Sequence, residues 1–457
     1  VNTVEVGVGD VSRGSYKAGE YNGLVKQGAL FLANLDLRGG AAFTSASTLR
    51  WRILGVDLGL ETRSLSSQVG VPGRFRVNAG YDRLRRNRSD SYQTPYDGAG
   101  TTTLTLPGTW QVPTVAGGAG NNPVSARGLN KVIGDAPYLS TVPANFGALV
   151  GATAAQKALV DAAADADLPL FHNVKLFTTR TTYDAGFTVS FAERWGLNAD
   201  IRPEHKDGLK PMGTVSRNSA STGGASLGDI STVIPDVVDN DHNQVRTNVS
   251  FRGAKSFGQL GYYGSLFRNN VPFMSWQNWA TGPTGTGTVN TISSAPGNIF
   301  NQFNASGGYN LRPTTKLVVH GSYGRGTQND PFITNATTPV VPVSSLNGLV
   351  VWSAFGAKLT SRPTKKLNLA GAYKFDDRDN RTAIHIFQFA DAEEAPAANA
   401  NFQAGPGSPL GAVVAQNANA NRPYSRKASQ VNAEADYSVA TWQQIKGGYD
   451  FERIDRA

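Results

Sequence analysis

Cysteine is absent from this 457-residue chain, and methionine occurs only twice. Without a thiol the chain can form no disulfide, no thiolate metal site and no cysteine nucleophile. Long hydrophobic runs are absent too, because no stretch approaches the roughly 20 apolar residues that a membrane-spanning helix requires. The hydrophobic fraction is 40% and the mean hydropathy is -0.29. If the chain spans a membrane, it must therefore do so as a closed sheet, which leaves no backbone group unpaired in lipid.

Alternation of apolar and polar residues is the dominant pattern in the sequence. In residues 74–82, Phe75 and Val77 fall on one face of a strand while Arg74 and Arg76 fall on the other, since strand side chains alternate with a period of two. Similar stretches lie near 3–10, 28–38, 49–60, 73–83, 176–191, 195–206, 243–253, 257–268, 300–312, 315–326, 347–361, 365–376, 427–438 and 441–453. The sequence predicts an all-β fold: a large antiparallel, up-and-down transmembrane β-barrel with about 14 strands in this chain and more in the full protein.

Connection lengths support a barrel that crosses a membrane. From the fifth strand on, tight turns such as the one at Pro313 alternate with long segments such as 207–242 and 377–426. Strands that cross a bilayer produce this alternation, with tight turns on one side and large loops on the other. Four strands before residue 84 would place the long loops on the same side as the N-terminus. This is unusual for such barrels and indicates either an uncounted N-terminal strand or an inverted barrel.

We predict one domain, a single outer-membrane barrel over residues 1–457. Because the last residues directly follow a strand and lack a terminal aromatic residue, we expect the chain to be truncated at its C-terminus. The longest connection covers about 84–175, and its Ala-rich part, from about 144 to 166, predicts one helix. We expect this loop to fold onto the mouth of the barrel, because a loop of this length usually has a function or a fold of its own.

Charge and composition bear on the alternatives. The formal net charge of +9 is distributed along strands and loops. No basic cluster interleaved with aromatic residues suggests a nucleic-acid partner, so none is expected. A soluble protein made of several β-sandwiches is a further reading, which would require a second sheet to cover each apolar face. The barrel reading predicts location in the bacterial outer membrane, with outer-membrane lipid around the sheet.

Residues that could carry chemistry are few. The five histidines are scattered and occur in no metal-binding or haem-attachment motif, so the chain itself carries no covalent haem. Asp236, Asp239 and Asp241 are weak calcium candidates, but their spacing lacks the glycine and the terminal glutamate of an EF-hand loop, and a solvated acidic loop is the simpler interpretation. No nucleophile motif is present. We therefore expect no catalytic residues, no cofactor on this chain and no enzymatic activity.

Several motifs resemble those of one family. They are Tyr263-Gly-Ser-Leu-Phe-Arg-Asn-Asn270, Gln328-Asn-Asp-Pro-Phe332 and Phe375-Asp-Asp-Arg-Asp-Asn-Arg-Thr382. Together with shorter matches from about residue 20 to the end, they resemble the MtrB/PioB family of decahaem-cytochrome-associated outer-membrane barrels. The motif positions carried over are Ser265, Phe267, Asn269, Asp330, Pro331, Asp376, Arg378 and Asn380. The N-terminal cysteine pair of some relatives and the C-terminal strands of the family are missing here.

The resemblance implies a sheath rather than an enzyme. In that family the barrel encloses a periplasmic multihaem c-type cytochrome and often docks a second one outside, so that electrons cross the outer membrane from haem to haem. Haem c would then belong to the partner. Candidate lumen residues facing that partner carry both charge signs: Arg74, Arg76, Arg246, Asn248, Arg252, Lys366, Lys374, Glu434 and Asp436. The alternative is a passive large-pore porin for small solutes.

Overall fold

The computed structural model describes residues 2–42, 44–111, 165–217, 229–279, 289–333, 341–388 and 418–456, together with Ala158 and Ala162. Within these ranges strands are by far the main secondary structure, and helix is limited to a few residues. The helical portion of the described chain includes no segment of the length and apolar character that crossing a membrane demands. Most of the helix predicted near 144–166 lies outside the described residues. Residues 165–167 are helical and lead into the 3-10 turn Leu168–Leu170.

The strands have the following bounds in chain order. They are β1 (Thr3–Val11), β2 (Gly28–Gly40), β3 (Arg50–Val56), β4 (Arg63–Val71), β5 (Phe75–Ser89), β6 (Gln93–Thr94), β7 (Thr103–Leu104), β8 (His172–Asn173), β9 (Leu176–Phe191), β10 (Trp195–Arg217), β11 (Asp229–Arg252), β12 (Ser256–Asn269), β13 (Phe273–Gln277), β14 (Val289–Ser293), β15 (Asn298–Arg312), β16 (Thr315–Gln328), β17 (Gly348–Thr364), β18 (Leu367–Asn380), β19 (Ile386–Gln388), β20 (Ala418–Ala420), β21 (Arg426–Ala440) and β22 (Gln443–Arg456).

Fifteen of these strands form one antiparallel sheet in the order β1-β2-β3-β4-β5-β9-β10-β11-β12-β15-β16-β17-β18-β21-β22. Each long strand pairs with the next long strand along the chain, so the up-and-down topology is confirmed. Among the described residues β1 pairs only with β2 and β22 only with β21, so the sheet is open between these two strands. The remaining short strands form small separate sheets within the connections.

One strand was missed by the sequence prediction. β4 pairs with β5 along its whole length and with β3 over Ser64–Gly70, which raises the count from fourteen to fifteen. Its apolar side chains are only Leu65, Val69 and Val71, and Ser67 stands where the alternation requires an apolar residue. Backbone pairing on both sides holds such a strand in place, and that non-local contribution leaves no trace in its own sequence. With five strands before the longest connection, the long loops and the start of β1 lie at opposite ends of the sheet.

The two ends of the sheet differ in their connections. The end that we call the turn end carries the connections 41–49, 72–74, 192–194, 253–255, 313–314, 365–366 and 441–442. The opposite end, the loop end, carries 12–27, 57–62, 90–175, 218–228, 270–297, 329–347 and 381–425. Strands β10 and β11 extend well beyond their predicted ends, with 23 and 24 residues respectively, and rise past their neighbours at the loop end.

The sheet has one apolar face and one polar face. Across β5, β9, β10 and β11, the register places Val77 opposite Phe187, Phe187 opposite Ala199, and Trp195 opposite Phe251 on the apolar face. Large apolar side chains on this face are widely exposed, for example Leu260 at 65% and Phe303 at 60%. Exposing so much apolar surface to water would be costly, at roughly 25 cal/mol per Å². A lipid environment removes that cost.

A separate apolar cluster, the loop-end core, lies among the connections. It consists of Tyr96, Leu104, Leu106, Trp110, Ile234, Val271, Met274 and Trp276, all buried. Three separate parts of the chain supply it: the connection after β5, the β10–β11 extension and the connection after β12. Ile234 and its register partner Met212 have the same strand parity as Arg246 and Asp200, so this core packs on the continuation of the polar face. The described residues 96–110 of the long connection thus pack across the loop end on the polar side of the sheet.

Candidate functional site

The polar face is where most of the candidate partner-facing residues lie. Seven of the nine occupy its strand positions: Arg76, Arg246, Asn248, Arg252, Lys374, Glu434 and Asp436. The other two, Arg74 and Lys366, lie in tight turns at the turn end. These nine residues are spread over the sheet and form no single cluster. Arg246 stands opposite Asp200, and Glu434 forms an ion pair of 3.3 Å with Lys446.

An aromatic cluster on the polar face was not predicted. Phe300 contacts Tyr263 at 6.1 Å and Trp352 at 5.2 Å between ring centroids, the latter edge to face. The guanidinium of Arg246 lies 5.3 Å from the Tyr263 ring centroid. The signal available in the sequence was an aromatic residue at the polar parity of three different strands. Such residues cannot face lipid, so they must contact one another or an occupant of the interior.

Glycines of β16 make room for these rings. A Cβ at Gly326 would lie 2.9 Å from the ring of Trp352, and one at Gly324 would lie 3.1 Å from the ring of Phe300. Both rings therefore lie over β16, at an angle of 86° to each other. Glycines at other positions of the polar face, such as Gly261 and Gly356, are likewise covered by a neighbouring side chain. Side chains that lie across the sheet make a shallower wall than side chains that project from it, and a shallow wall leaves more room for a large occupant.

The motif residues of β12 fix the beginning of the next loop. Ser265 Oγ is 2.9 Å from His242 Nε2, and its neighbour in the motif, Phe267, pairs with Asn298 on β15. The Asn269 amide donates to the Ala295 carbonyl at 2.9 Å, while its side-chain oxygen accepts the Val271 N–H. These bonds tie the base of the 270–297 connection to β12 and β15.

The remaining motif residues hold two further loops at the same end. Asp330 accepts the N–H of Gly297, and Pro331 forms an isolated bridge with Ser345. Arg378 donates to the Tyr424 carbonyl at 3.0 Å, and the Asn380 N–H donates to Ser425 Oγ at 3.0 Å. The family motifs therefore lie where strands become loops.

The carboxylates between 376 and 379 form ion pairs at the base of this loop. Asp376 lies 3.8 Å from Arg426, Asp377 lies 4.0 Å from Lys427 and Asp379 lies 2.6 Å from Arg381. Their neighbour Arg378 donates to a backbone carbonyl and pairs with none of them.

The calcium candidates are not brought together. Asp236 has the parity of the polar face and forms an ion pair of 3.1 Å with Lys210. Asp239 and Asp241 have the opposite parity and share the Asn270 amide, at 2.8 and 3.1 Å. Within the described ranges, no group of three or more His, Cys, Asp or Glu side chains is placed to hold a metal ion.

Hydrogen bonds between loops hold the loop-end core together. Tyr96 Oη donates to the Gln277 carbonyl at 2.8 Å, and Trp110 Nε1 donates to the Trp279 carbonyl at 2.8 Å. Strand β7 pairs in parallel with β13, which joins two connections that are far apart in sequence. Asp167 accepts the Gln111 N–H at 2.7 Å, and burial raises the pKa of its carboxyl above the usual range. The described connections at the loop end thus pack against one another and are joined by hydrogen bonds.

A sheet with an apolar face turned to lipid, tight turns at one end and packed loops at the other defines the class of outer-membrane β-barrels. The chain belongs to the outer membrane β-barrel porin family MtrB/PioB, whose model matches residues 11–457. This confirms the family resemblance and places the protein in the bacterial outer membrane. MtrB/PioB is a family of porin-like proteins and not an enzyme family.

Individual relatives are more distant. Outer membrane protein MtrB of Shewanella baltica (strain OS185) is 25% identical over 456 residues, covering 99% of this chain and 54% of that protein. The chain therefore spans about half the length of the curated relative that it matches. Among solved structures, OmpT of Vibrio cholerae has 8% identity and a TM-score of 0.25, covering 85% of this chain and 90% of OmpT. The siderophore receptor PiuA from Acinetobacter baumannii has 8% identity and a TM-score of 0.36, covering 99% of this chain and 62% of PiuA.

Proposed function

We propose that this chain forms part of a barrel that sheaths a periplasmic multihaem c-type cytochrome and so allows electrons to cross the outer membrane. The observation that carries the proposal is the polar face: a broad, shallow wall of small and polar side chains with charges of both signs. Family membership supports it, since the same resemblance links the sequence to cytochrome-associated barrels. A second, extracellular multihaem cytochrome is a further proposed partner, at the loop end.

The physical role of the chain would be to hold the cytochrome in place and to separate it from the lipid. Lipid forms a gap with low dielectric constant, and a folded protein with a charged surface is unstable in it unless a polar wall separates the two. The apolar face would meet lipid while the polar face meets the partner. Glycines such as Gly261, Gly324 and Gly356 let neighbouring side chains lie across the polar face, which would let the partner come closer to the sheet. The haems of the cytochrome would carry the electrons, and this chain would hold no cofactor and perform no catalysis.

The aromatic cluster is the part of the wall best suited to contact a folded partner. Its three rings, Tyr263, Phe300 and Trp352, are half-buried and lie side by side beside Arg246. Aromatic residues and arginine are the side chains most often responsible for tight protein–protein contacts. A filter for small ions would more commonly place charges of one sign at a constriction.

The second candidate is a passive large-pore porin for small solutes, which the same shallow polar wall would permit. The two functions differ in what occupies the interior. A tagged barrel extracted in mild detergent from its native membrane should show a reducible c-type Soret band that follows the barrel through gel filtration. A colourless barrel from cells that make multihaem cytochromes, conducting in planar bilayers, would refute the sheath and favour the porin.

A further inference from the structure

Cations outnumber carboxylates in the tight turns of the turn end and at the polar-face positions beside them. The tight turns 72–74, 192–194, 253–255, 313–314, 365–366 and 441–442 contain five cations and one carboxylate, Glu193. The polar-face positions next to these turns add further cations. We name six of these residues the turn-end cation row: Arg50, Arg74, Arg76, Arg252, Lys316 and Lys358, all exposed.

No member of the row forms an ion pair within the part of the chain that the structure describes. Several loop-end cations do form such pairs: Arg86 with Glu20 at 3.1 Å, Arg83 with Glu61 at 3.3 Å and Lys210 with Asp236 at 3.1 Å. The six cations of the row have no carboxylate partner among the described residues and repel one another. Such an arrangement favours binding of an anionic partner.

Geometry groups the row into two clusters. Arg50 and Arg76 face each other across Gly70 and, together with Arg74, border a cleft of about 340 Å³. In the second cluster, Arg252 and Lys358 share one register row through β12, β15 and β16.

The second cluster also contains a cation held over an aromatic ring. The ammonium of Lys316 lies 4.9 Å from the centroid of Phe257, which belongs to the same register row. The guanidinium and ammonium groups of the row lie on several different strands. Groups spread in this way suit several separate carboxylates better than a single small anion.

The face on which these cations lie indicates whether their anionic partner is a lipid headgroup or a protein. At the same height, the apolar face carries Phe75, Phe251 and Leu317, which would meet lipid. The cations point to the other face, so lipid headgroups around the barrel would not reach them. A folded protein at the interior opening of the barrel would contact them directly.

We propose that the turn-end cation row docks a carboxylate-rich surface of the periplasmic partner, and so holds that partner at this end of the barrel. The inference rests on the proposed sheath function and specifies the chemistry of the partner's surface there. Because the row is exposed, its attraction must weaken with salt, as the screening length falls from about 10 Å at 0.1 M to about 3 Å at 1 M.

The test uses the full protein in its native membrane. A triple reversal, Arg76→Glu, Arg252→Glu and Lys316→Glu, is compared with a matched reversal of three loop-end cations that are also exposed and without an ion pair among the described residues, Arg88→Glu, Arg268→Glu and Arg325→Glu. Both change the net charge equally. The haem-to-barrel ratio of the tagged complex is measured by absorbance at increasing salt, with phospholipid phosphate measured alongside. A triple glutamine variant and the heat-dependent gel mobility of each variant control for failure to fold.

We expect the turn-end reversal to lower the haem-to-barrel ratio about tenfold and the loop-end reversal to leave it within about twofold of wild type. The glutamine variant should show an intermediate loss that grows with salt. Equal haem ratios in both reversals would overturn the inference while the sheath function stands. Unchanged haem with loss of bound phospholipid would overturn it in favour of lipid headgroups. A colourless wild-type barrel would overturn both the inference and the sheath function.

Discussion

The assignment of the two faces can be tested at adjacent residues of one strand. Leu260 on β12 lies on the apolar face, is 65% exposed and stands opposite Val249 and Ala305. Its partner Ala305 lies on β15 between Phe303 and Tyr309, two aromatic residues of the apolar face, which places Leu260 within the apolar band. Arginine near the middle of such a band costs about 2–4 kcal/mol. Because about 1.4 kcal/mol is a factor of ten, Leu260→Arg should reduce the folding equilibrium constant by roughly one and a half to three orders of magnitude.

Gln259 provides the matched control, since it is adjacent in sequence and has the opposite parity. Gln259→Arg adds the same side chain to the polar face, where its charge stays hydrated, so the expected change is within about 0.5 kcal/mol. Both variants would be folded into lipid vesicles and unfolded with urea, followed by tryptophan fluorescence and gel mobility. Equal destabilisation by both substitutions, or a larger effect at Gln259, would refute the face assignment.

Three further predictions concern the loop end and the polar wall. Ile234→Ala, at a fully buried position, should destabilise the loop-end core by about 2–5 kcal/mol, seen as faster hydrogen exchange there and not in the sheet; uniform exchange changes would contradict it. Burial raises the pKa of Asp167, so the folded loop holds its proton to higher pH than the unfolded loop and loses stability as pH rises above the usual carboxyl range. Asp167→Asn should flatten the pH dependence of Gln111 amide protection, and an unchanged profile would exclude this carboxyl as its source. Trp352→Ala should loosen its edge-to-face partner Phe300 and lower retention of an interior partner several-fold while vesicle folding persists; unchanged retention would remove the cluster from the interface.

The strands of the sheet were largely predictable because their information is local. Alternation fixes which side chains share a face, and a one-residue slip would turn every apolar residue of a strand to the wrong side. Strand β4 was not predicted because Ser67 interrupts its alternating pattern, and its pairing depends on the neighbouring strands β3 and β5. The extensions of β10 and β11 were not predicted because the apolar alternation is no longer required beyond the lipid band.

The loop-end core could not have been derived from the sequence. Its residues come from three distant parts of the chain, and the parallel pairing of Ser275 with Thr103 joins segments more than a hundred residues apart. No periodicity links such segments, and the hydrophobic residues in them are too few to predict an element. The aromatic cluster is similar: Tyr263, Phe300 and Trp352 are separated in sequence, and only the register of four strands brings them together.

The number of strands before the longest connection determines whether the long loops lie at the same end of the sheet as the start of β1. With five strands instead of four, β1 starts at the turn end and the first long loop leaves from the opposite end. In most outer-membrane barrels the tight turns face the periplasm and the long loops face outward. With that orientation, the turn-end cation row would face the compartment from which the proposed periplasmic partner would enter, and the loop end with its packed core would face outward. The proposed docking at the turn end requires this orientation, because a periplasmic partner can reach the row only from the periplasm.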